Sequence, residues 1–202
     1  MILILASGLL FACAAICGIV LAMLLCTRFG TPEDGPKLNA PRPVAIVVGA
    51  LALGCILAFR HAPIEEIGLT ALVCVPLAGA WFSDWLKGII PDAFTLGPLA
   101  VVGIYAITHH AWWLVLSAIV PFVPFAIAAM LSKGRGMGWG DAKLVALGGA
   151  VLGMQSAVLV FALACFAATI VSVIRDRGKT PVAFGPYLVA SVAIAIAIQV
   201  HG

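Results

Sequence analysis

Charged residues are scarce in this sequence, and their scarcity excludes a soluble domain. Only 9% of the 202 residues are Asp, Glu, Lys or Arg, whereas soluble domains carry roughly 25%. Hydrophobic residues make up 64% of the chain. This composition is typical of a polytopic membrane protein, and the length suggests one folded domain.

The chain also lacks the side-chain clusters that bind metals or nucleic acids. No two cysteines form a CxxC pair, and no Cys/His spacing is typical of a zinc site. All six cysteines lie within or beside apolar runs, where a free thiol packs as a small hydrophobic group. The net charge of +3 is small, and no basic face is clustered. We therefore expect no disulfide, no metal, no other cofactor and no nucleic-acid partner.

Long apolar runs predict about eight transmembrane helices, because a spanning helix needs about 20 mostly apolar residues. The apolar run from Asp141 to Ile174 is about 34 residues long, too long for one span, and Gly153 is the expected turn within it. The predicted helices are Ile2–Cys26, Val44–Phe59, Ile67–Trp85, Ala93–Thr108, Ala111–Leu131, Ala142–Leu152, Ala157–Ile174 and Phe184–Val200. The predicted fold class is thus an all-α polytopic membrane protein.

The distribution of basic residues predicts how these helices are oriented. With eight spans, ten of the eleven Lys and Arg residues fall on one side, which leaves Arg60 alone on the other. The positive-inside rule makes the basic side cytoplasmic and places both termini outside. The first apolar run has no positive n-region and no clear cleavage site, so we expect it to be a retained helix.

Two aspartates at the mouths of apolar helices are the strongest candidates for chemistry. Asp84 ends one apolar run, and Asp141 opens another after the glycine-rich stretch GRGMGWG. Both lie on the predicted cytoplasmic side, where an acid beside a membrane helix is a functional candidate by default. Two close carboxylates share one proton, which suits general acid–base hydrolysis of a peptide bond. The helix dipole favours Asp141 as the base and Asp84 as the acid.

The other acids are expected to be solvated loop residues or residues at the membrane interface. Glu33, Asp34 and Asp176 lie in charged loops, and Glu65 and Glu66 lie on the predicted outer side. The tryptophans Trp81, Trp85, Trp112 and Trp113 fit an aromatic belt at the lipid headgroups.

Three segments resemble the signatures of the type IV prepilin peptidases, which are GxGD-type aspartic proteases of the bacterial inner membrane. The segments are DWLKGIIPDAFTLGPL, GMGWGDAKLVALGGAVLG and the FGP of TPVAFGPYLVAS. They occur in the family's order, over about two thirds of the chain.

The resemblance implies a role for particular residues. It makes Asp84 and Asp141 the catalytic pair, whereas Asp92 is not one of the pair and is expected to cap the fourth helix. It also matches Lys143 to a lysine of the family, which would contact either the substrate or a lipid phosphate, and it places Phe184, Gly185 and Pro186 near the active site. Gly138 and Gly140 join these candidates because glycine lets a backbone come close to a substrate. The glycines before Asp141 would let an extended substrate approach the backbone.

The resemblance further implies which reaction the chain performs and where. The expected function is cleavage of the leader peptide of prepilins or pseudopilins at the cytoplasmic face of the inner membrane. Long members carry a cysteine-containing insert associated with N-methylation, whereas the matching loop here, Thr27–Pro43, is short and has no cysteine. The chain is therefore similar to the short members that process Flp/Tad-type pilins, and no methyltransferase activity is expected. By this resemblance, residues 1–66 form two N-terminal transmembrane helices and a cytoplasmic loop, and residues 67–202 form the catalytic membrane domain.

Other classes of function stay open from the sequence alone. A small transporter or channel would use Asp84 and Asp141 to bind a proton or a cation, although such sites are marked by midplane carboxylates on broken helices. A non-catalytic assembly factor would have no need of either acid. A GxGD protease with another substrate, such as a signal-peptide peptidase, would share Asp141, but the D…PD and FGP segments favour prepilins.

Overall fold

The computed structural model describes residues 1–29, 43–132, 137–176 and 184–199, and all regular structure in these ranges is helical. Eight α-helices and one short 3-10 turn follow one another, with no strand among these residues. The helices are α1 (Ile2–Phe29), α2 (Pro43–Phe59), α3 (Ile64–Lys87), α4 (Leu96–Thr108), α5 (Trp112–Leu131), α6 (Trp139–Leu152), α7 (Met154–Asp176) and α8 (Gly185–Gln199), with the 3-10 turn at Asp92–Phe94 before α4. The predicted all-α class is confirmed.

The break between α6 and α7 falls at the predicted residue. Gly153 has a φ of +79° and a ψ of 158°, a backbone conformation that is essentially confined to glycine. Its N–H donates to the Gly149 carbonyl at 3.0 Å and so closes the last turn of α6. The long apolar run is therefore two helices because one glycine reverses the chain.

Four of the described helices are long and apolar enough to cross a membrane. They contain the candidate spans Ile2–Thr27, Ile64–Lys87, Trp112–Leu131 and Met154–Ile174. The apolar helices Pro43–Phe59 and Gly185–Gln199 are shorter, and α6 has only 14 residues, a length of about 21 Å against a hydrocarbon core of about 30 Å. Eight transmembrane spans and periplasmic termini thus stay a prediction.

The exposed surface of the described helices is rich in large apolar side chains. Leu9 is 62% exposed, Leu72 67% and Phe166 66%. Such exposure is costly in water and neutral against lipid tails. The surface, the helix lengths and the composition all indicate an integral membrane protein.

The described residues pack as two compact units, the first made of those up to Phe94 together with residues 196–199. In this unit α1 contacts both α2 and α3. The Ser7 hydroxyl donates to the Gly54 carbonyl at 2.9 Å. A Cβ on Gly54 would lie 2.6 Å from the Ser7 carbonyl oxygen, and one on Gly18 would overlap the Val75 carbonyl oxygen. Glycines thus let these helices approach closely, as is common between membrane helices.

The second unit runs from Thr95 to Ala195 and is built around α6. Ten of the 14 α6 residues are buried, and α4, α5 and α7 all contact this helix. A Cβ on Gly149 would lie 2.6 Å from Pro121 of α5, and one on Gly148 would lie 2.5 Å from the Phe161 ring of α7. A helix buried on nearly all sides carries Asp141 in its first turn, so the position of this carboxylate is set by its neighbours.

Candidate active site

Asp84 lies in the first unit, one turn before the end of α3. Its side chain belongs to the buried part of that helix, and the residue is only 6% exposed. The Asp84 carbonyl accepts a hydrogen bond of 2.7 Å from Gly88, whose φ of +67° is the left-handed cap that ends the helix. The C-terminal end of a helix dipole disfavours a negative charge. Asp84 is therefore buried at the negative end of the α3 dipole.

A basic residue fixes the same end of α3. The Lys87 ammonium donates to the Cys26 carbonyl of α1 at 2.5 Å. A cation in the last turn also complements the dipole of α3. The turn that carries Asp84 is thus tied to the neighbouring helix.

Asp141 lies in the second unit as the third residue of α6 and is 8% exposed. Gly138 is the N-cap residue, with an extended backbone at φ −80° and ψ 152°. The Gly138 N–H donates to the Asp141 Oδ2 at 3.2 Å, the reciprocal bond of a capping box. This bond and the positive end of the helix dipole both favour the ionised carboxylate.

The role of Gly138 as a cap was missed in the sequence, where the glycine was interpreted only as a point of close backbone approach. The signal was present, because a capping box places an acid three residues after the N-cap. A Cβ on Gly138 would lie 3.4 Å from the Asp141 Oδ2, an ordinary contact. The hydrogen bond from the Gly138 N–H therefore matters more to Asp141 than the absence of a side chain at position 138.

The remaining predicted site residues lie in the second unit, at the starts of two helices. Gly140 and Lys143 are half-buried in the first turns of α6. Phe184 precedes α8, and its carbonyl accepts from the Tyr187 N–H at 3.0 Å. Gly185 and Pro186 form the first turn of α8, where proline needs no N–H partner, and both are buried.

An aromatic contact fixes the FGP segment. The Phe184 ring stacks on the Phe125 ring of α5, with centroids 6.3 Å apart and an interplanar angle of 29°. Phe125 also meets Phe161 of α7 edge-on at 6.1 Å. The start of α8 is thus packed against α5, a contact that local sequence does not predict.

The predicted capping role of Asp92 is wrong. The N-cap position of α4 is Thr95, and Asp92 is the exposed first residue of the separate 3-10 turn. Phe94, which ends that turn, is 1% exposed and packs on Gly79 of α3, where a Cβ would lie 2.6 Å from the ring Cζ. The buried ring holds this turn against α3, and α4 begins at Leu96, three residues after the predicted start at Ala93.

Neither unit offers a metal centre in the part of the chain that the structure describes, since no group of three His, Cys, Asp or Glu side chains there is placed to hold an ion. The two candidate aspartates lie one in each unit. Each is more than nine-tenths buried.

Comparison with known proteins finds a family model and relatives that match the part of the chain that contains both aspartates. The model of the type IV leader peptidase family matches residues 71–173, just over half of the chain, and that segment contains Asp84 and Asp141. The chain is also similar to the prepilin leader peptidase/N-methyltransferase of two Burkholderia pseudomallei strains, 1026b and K96243. Each is 29% identical over 168 residues, which cover 76% of this chain and 53% of the relative.

The chain thus spans about half the length of the curated relatives that it matches. No solved structure matches it. The family match contains the DWLKGIIPDAFTLGPL and GMGWGDAKLVALGGAVLG segments, and the FGP segment lies beyond it. The chain belongs to the type IV leader peptidase family.

Proposed function

We propose that this protein is a membrane aspartic endopeptidase that removes leader peptides from type IV prepilins or pseudopilins, with Asp84 and Asp141 as its catalytic pair. The observation that carries the proposal is their burial. Asp84 is 6% and Asp141 8% exposed, whereas Asp92, within the same matched segment, is exposed. Burial of a carboxylate in an apolar helix is costly, and such residues are kept mainly for function.

The two carboxyl groups act as a base and an acid. Ionised Asp141 takes a proton from water, whose oxygen bonds to the carbonyl carbon of the scissile peptide. Protonated Asp84 gives its proton to the carbonyl oxygen, so the intermediate is a neutral diol. The C–N bond then breaks: the leaving nitrogen receives the proton held by Asp141, and one hydroxyl of the diol returns its proton to Asp84.

The helix ends support this division of roles. The Gly138 N–H and the α6 dipole stabilise a charged Asp141, and the α3 C-terminus favours a neutral Asp84. Because the two groups share protons, their titration belongs to the pair. The glycines before Asp141, together with Lys143 and the FGP segment, form the surrounding substrate contacts.

The proposed site of cleavage is the cytoplasmic face of the bacterial inner membrane, with both termini periplasmic. The grouping of ten Lys and Arg residues on one side of an eight-span chain supports this orientation. The apolar helix of the substrate would lie beside the enzyme within the membrane, and its leader would reach the two aspartates. The basic residues on the same side would attract anionic lipid.

We further propose that the substrates are Flp/Tad-type prepilins and that the chain does not methylate its product. The support is the Thr27–Pro43 loop, most of which lies outside the described residues. It has no cysteine, and none occurs between Cys26 and Cys55. A methyltransferase insert with two CxxC pairs has no counterpart there.

Mass spectrometry of the pilin product tests this function. Purified enzyme in lipid vesicles is incubated with a Flp-type prepilin and S-adenosylmethionine, with Asp141→Asn as the control for contaminating peptidases. We expect a pilin that lacks its leader and has an unmodified new N-terminus. A methylated product would contradict the short-form assignment, and an intact prepilin would contradict the choice of substrate. Processing that persists in Asp141→Asn would contradict the aspartic peptidase and favour a proton- or cation-coupled transporter.

A further inference from the structure

Arg60, the residue that follows α2, binds the C-terminal end of α8. Its guanidinium Nη1 donates to the Ala197 and Ile198 carbonyls, and the distance to the second is 3.0 Å. Both carbonyls lie in the last turn of α8, where no following turn of helix supplies an N–H. The Arg60 backbone N–H donates to the Ile56 carbonyl at 3.0 Å, which fixes the residue to the last turn of α2. Arg60 is therefore a side-chain cap for another helix, and its charge complements the negative end of the α8 dipole.

The cap explains a basic residue in a disfavoured place. In the predicted eight-span topology Arg60 is the single Lys or Arg on the outer side, which the positive-inside rule disfavours. The 15 residues of α8 span about 22 Å, against a hydrocarbon core of about 30 Å. At least one end of α8 thus lies below the membrane surface, where water is scarce and helix carbonyls need other donors. A long arginine side chain can reach such carbonyls while its stem lies along apolar surface.

The opposite end of α8 carries the FGP segment. Phe184 stacks on the Phe125 ring of α5, and Gly185 and Pro186 form the first turn of the helix. The rise per residue of a helix is fixed by its backbone hydrogen bonds, so a shift at one end is passed to the other. Arg60 at the end of α8 and the Phe184 contact at its start therefore both set the position of the helix along its axis.

We propose that Arg60 is a positioning residue of the peptidase, which holds the FGP segment in place through α8. The inference rests on the proposed peptidase function, in which the FGP segment contacts the substrate. Without the guanidinium, α8 loses the two hydrogen bonds that fix its last turn, and the FGP segment samples more than one position. Substrate then binds less tightly while bound substrate reacts at nearly the same rate, so KM rises and kcat changes little.

Three replacements separate the charge of Arg60 from its hydrogen bonds. Arg60→Lys keeps a cation without the planar fork, Arg60→Gln keeps a neutral donor, and Arg60→Met keeps only an apolar chain. None of them adds charge to the predicted outer side, so membrane insertion should not suffer. His110→Asn is the matched control. His110 is an exposed polar residue on the same predicted side, its Nδ1 lies 3.2 Å from the Ile107 carbonyl of α4, and asparagine tolerates its φ of 52°.

Two measurements follow the effect from the cap to the substrate. Cleavage of a prepilin in lipid vesicles gives kcat and KM for each variant. A 4-fluorophenylalanine placed at position 184 reports on the FGP segment by fluorine NMR, about 22 Å from the cap along α8. We expect Arg60→Met to raise KM about three- to tenfold, the scale of one hydrogen bond, and Arg60→Lys to recover most of the loss. The fluorine signal should shift or broaden in Arg60→Met and stay unchanged in His110→Asn.

The outcomes separate this inference from the peptidase function. A lower kcat with an unchanged KM in Arg60→Met would overturn the inference, because a merely structural role reduces the number of active molecules. A fluorine signal that is the same in Arg60→Met and the wild type would also overturn it, because the cap would then not act through α8. Cleavage that persists in Asp141→Asn would overturn the peptidase function and the inference together. Cleavage that requires Asp141 but has the same KM in Arg60→Met would overturn the inference alone.

Discussion

The packing of α6 against α5 makes Gly149→Ala a sharp test of the second unit. A Cβ on Gly149 would overlap the Ser117 carbonyl oxygen and lie 2.6 Å from the Pro121 Cγ. The carbonyl belongs to the α5 backbone, so it cannot rotate away as a side chain would. The two helices must therefore separate, and α6 carries Asp141.

The expected magnitude follows from two opposing effects. Overpacking costs about 1–3 kcal/mol, and the gain in helix propensity from glycine to alanine returns up to about 1 kcal/mol. We expect Gly149→Ala to lower the free energy of unfolding by about 1–2 kcal/mol, or the midpoint by about 2–8 °C for a chain of this size. Gly148→Ala should cost less, because its Cβ would meet the side chains of Phe161 and Val192.

Thermal unfolding in one detergent, followed by circular dichroism, measures the series. Gly103→Ala is the control, because no atom lies within 4 Å of its added Cβ in the middle of α4. It should leave the midpoint unchanged or raise it. If Gly149→Ala behaved as Gly103→Ala does, the close approach of α5 and α6 would be refuted.

Two further predictions concern other glycines. Gly138→Pro fits the φ of −80° but removes the N–H that donates to Asp141, so we expect a loss of about 10- to 100-fold in cleavage rate. Gly138→Ala keeps this N–H and should stay within about threefold of the wild-type rate, because its added Cβ would make only an ordinary contact with Asp141. Comparing the two variants separates the effect of the N–H from that of the added side chain, and equal rates for the two would contradict the hydrogen bond. Gly153→Ala should destabilise by about 1–3 kcal/mol in the same unfolding assay, because its backbone conformation is nearly confined to glycine; an unchanged midpoint would contradict the observed turn.

The helical architecture could be predicted because it depends on local sequence. The long apolar run after Asp141 exceeds one span, and Gly153 is the residue that best reverses it. The placement of Asp84 at a helix end and of Asp141 at a helix start followed from the same boundaries.

The errors arose where burial by distant residues decides the structure. Asp92 was predicted to cap α4, but the burial of Phe94 against Gly79 forms a separate turn first. Trp81 was predicted to lie at the headgroups, yet its indole nitrogen is enclosed. Neither packing is visible in the residues adjacent in the chain.

The most direct test of the central claim is the rate of leader cleavage by Asp84→Asn, Asp141→Asn and Asp92→Asn in membrane vesicles at equal protein levels. Asparagine keeps the size of each side chain but cannot exchange the proton, and Asp92 is the exposed control within the same matched segment. We expect a loss of about 100- to 10,000-fold for the first two, the scale of removing a general acid or base, with Asp92→Asn close to wild type. Cleavage that persists without either buried aspartate would contradict the catalytic pair.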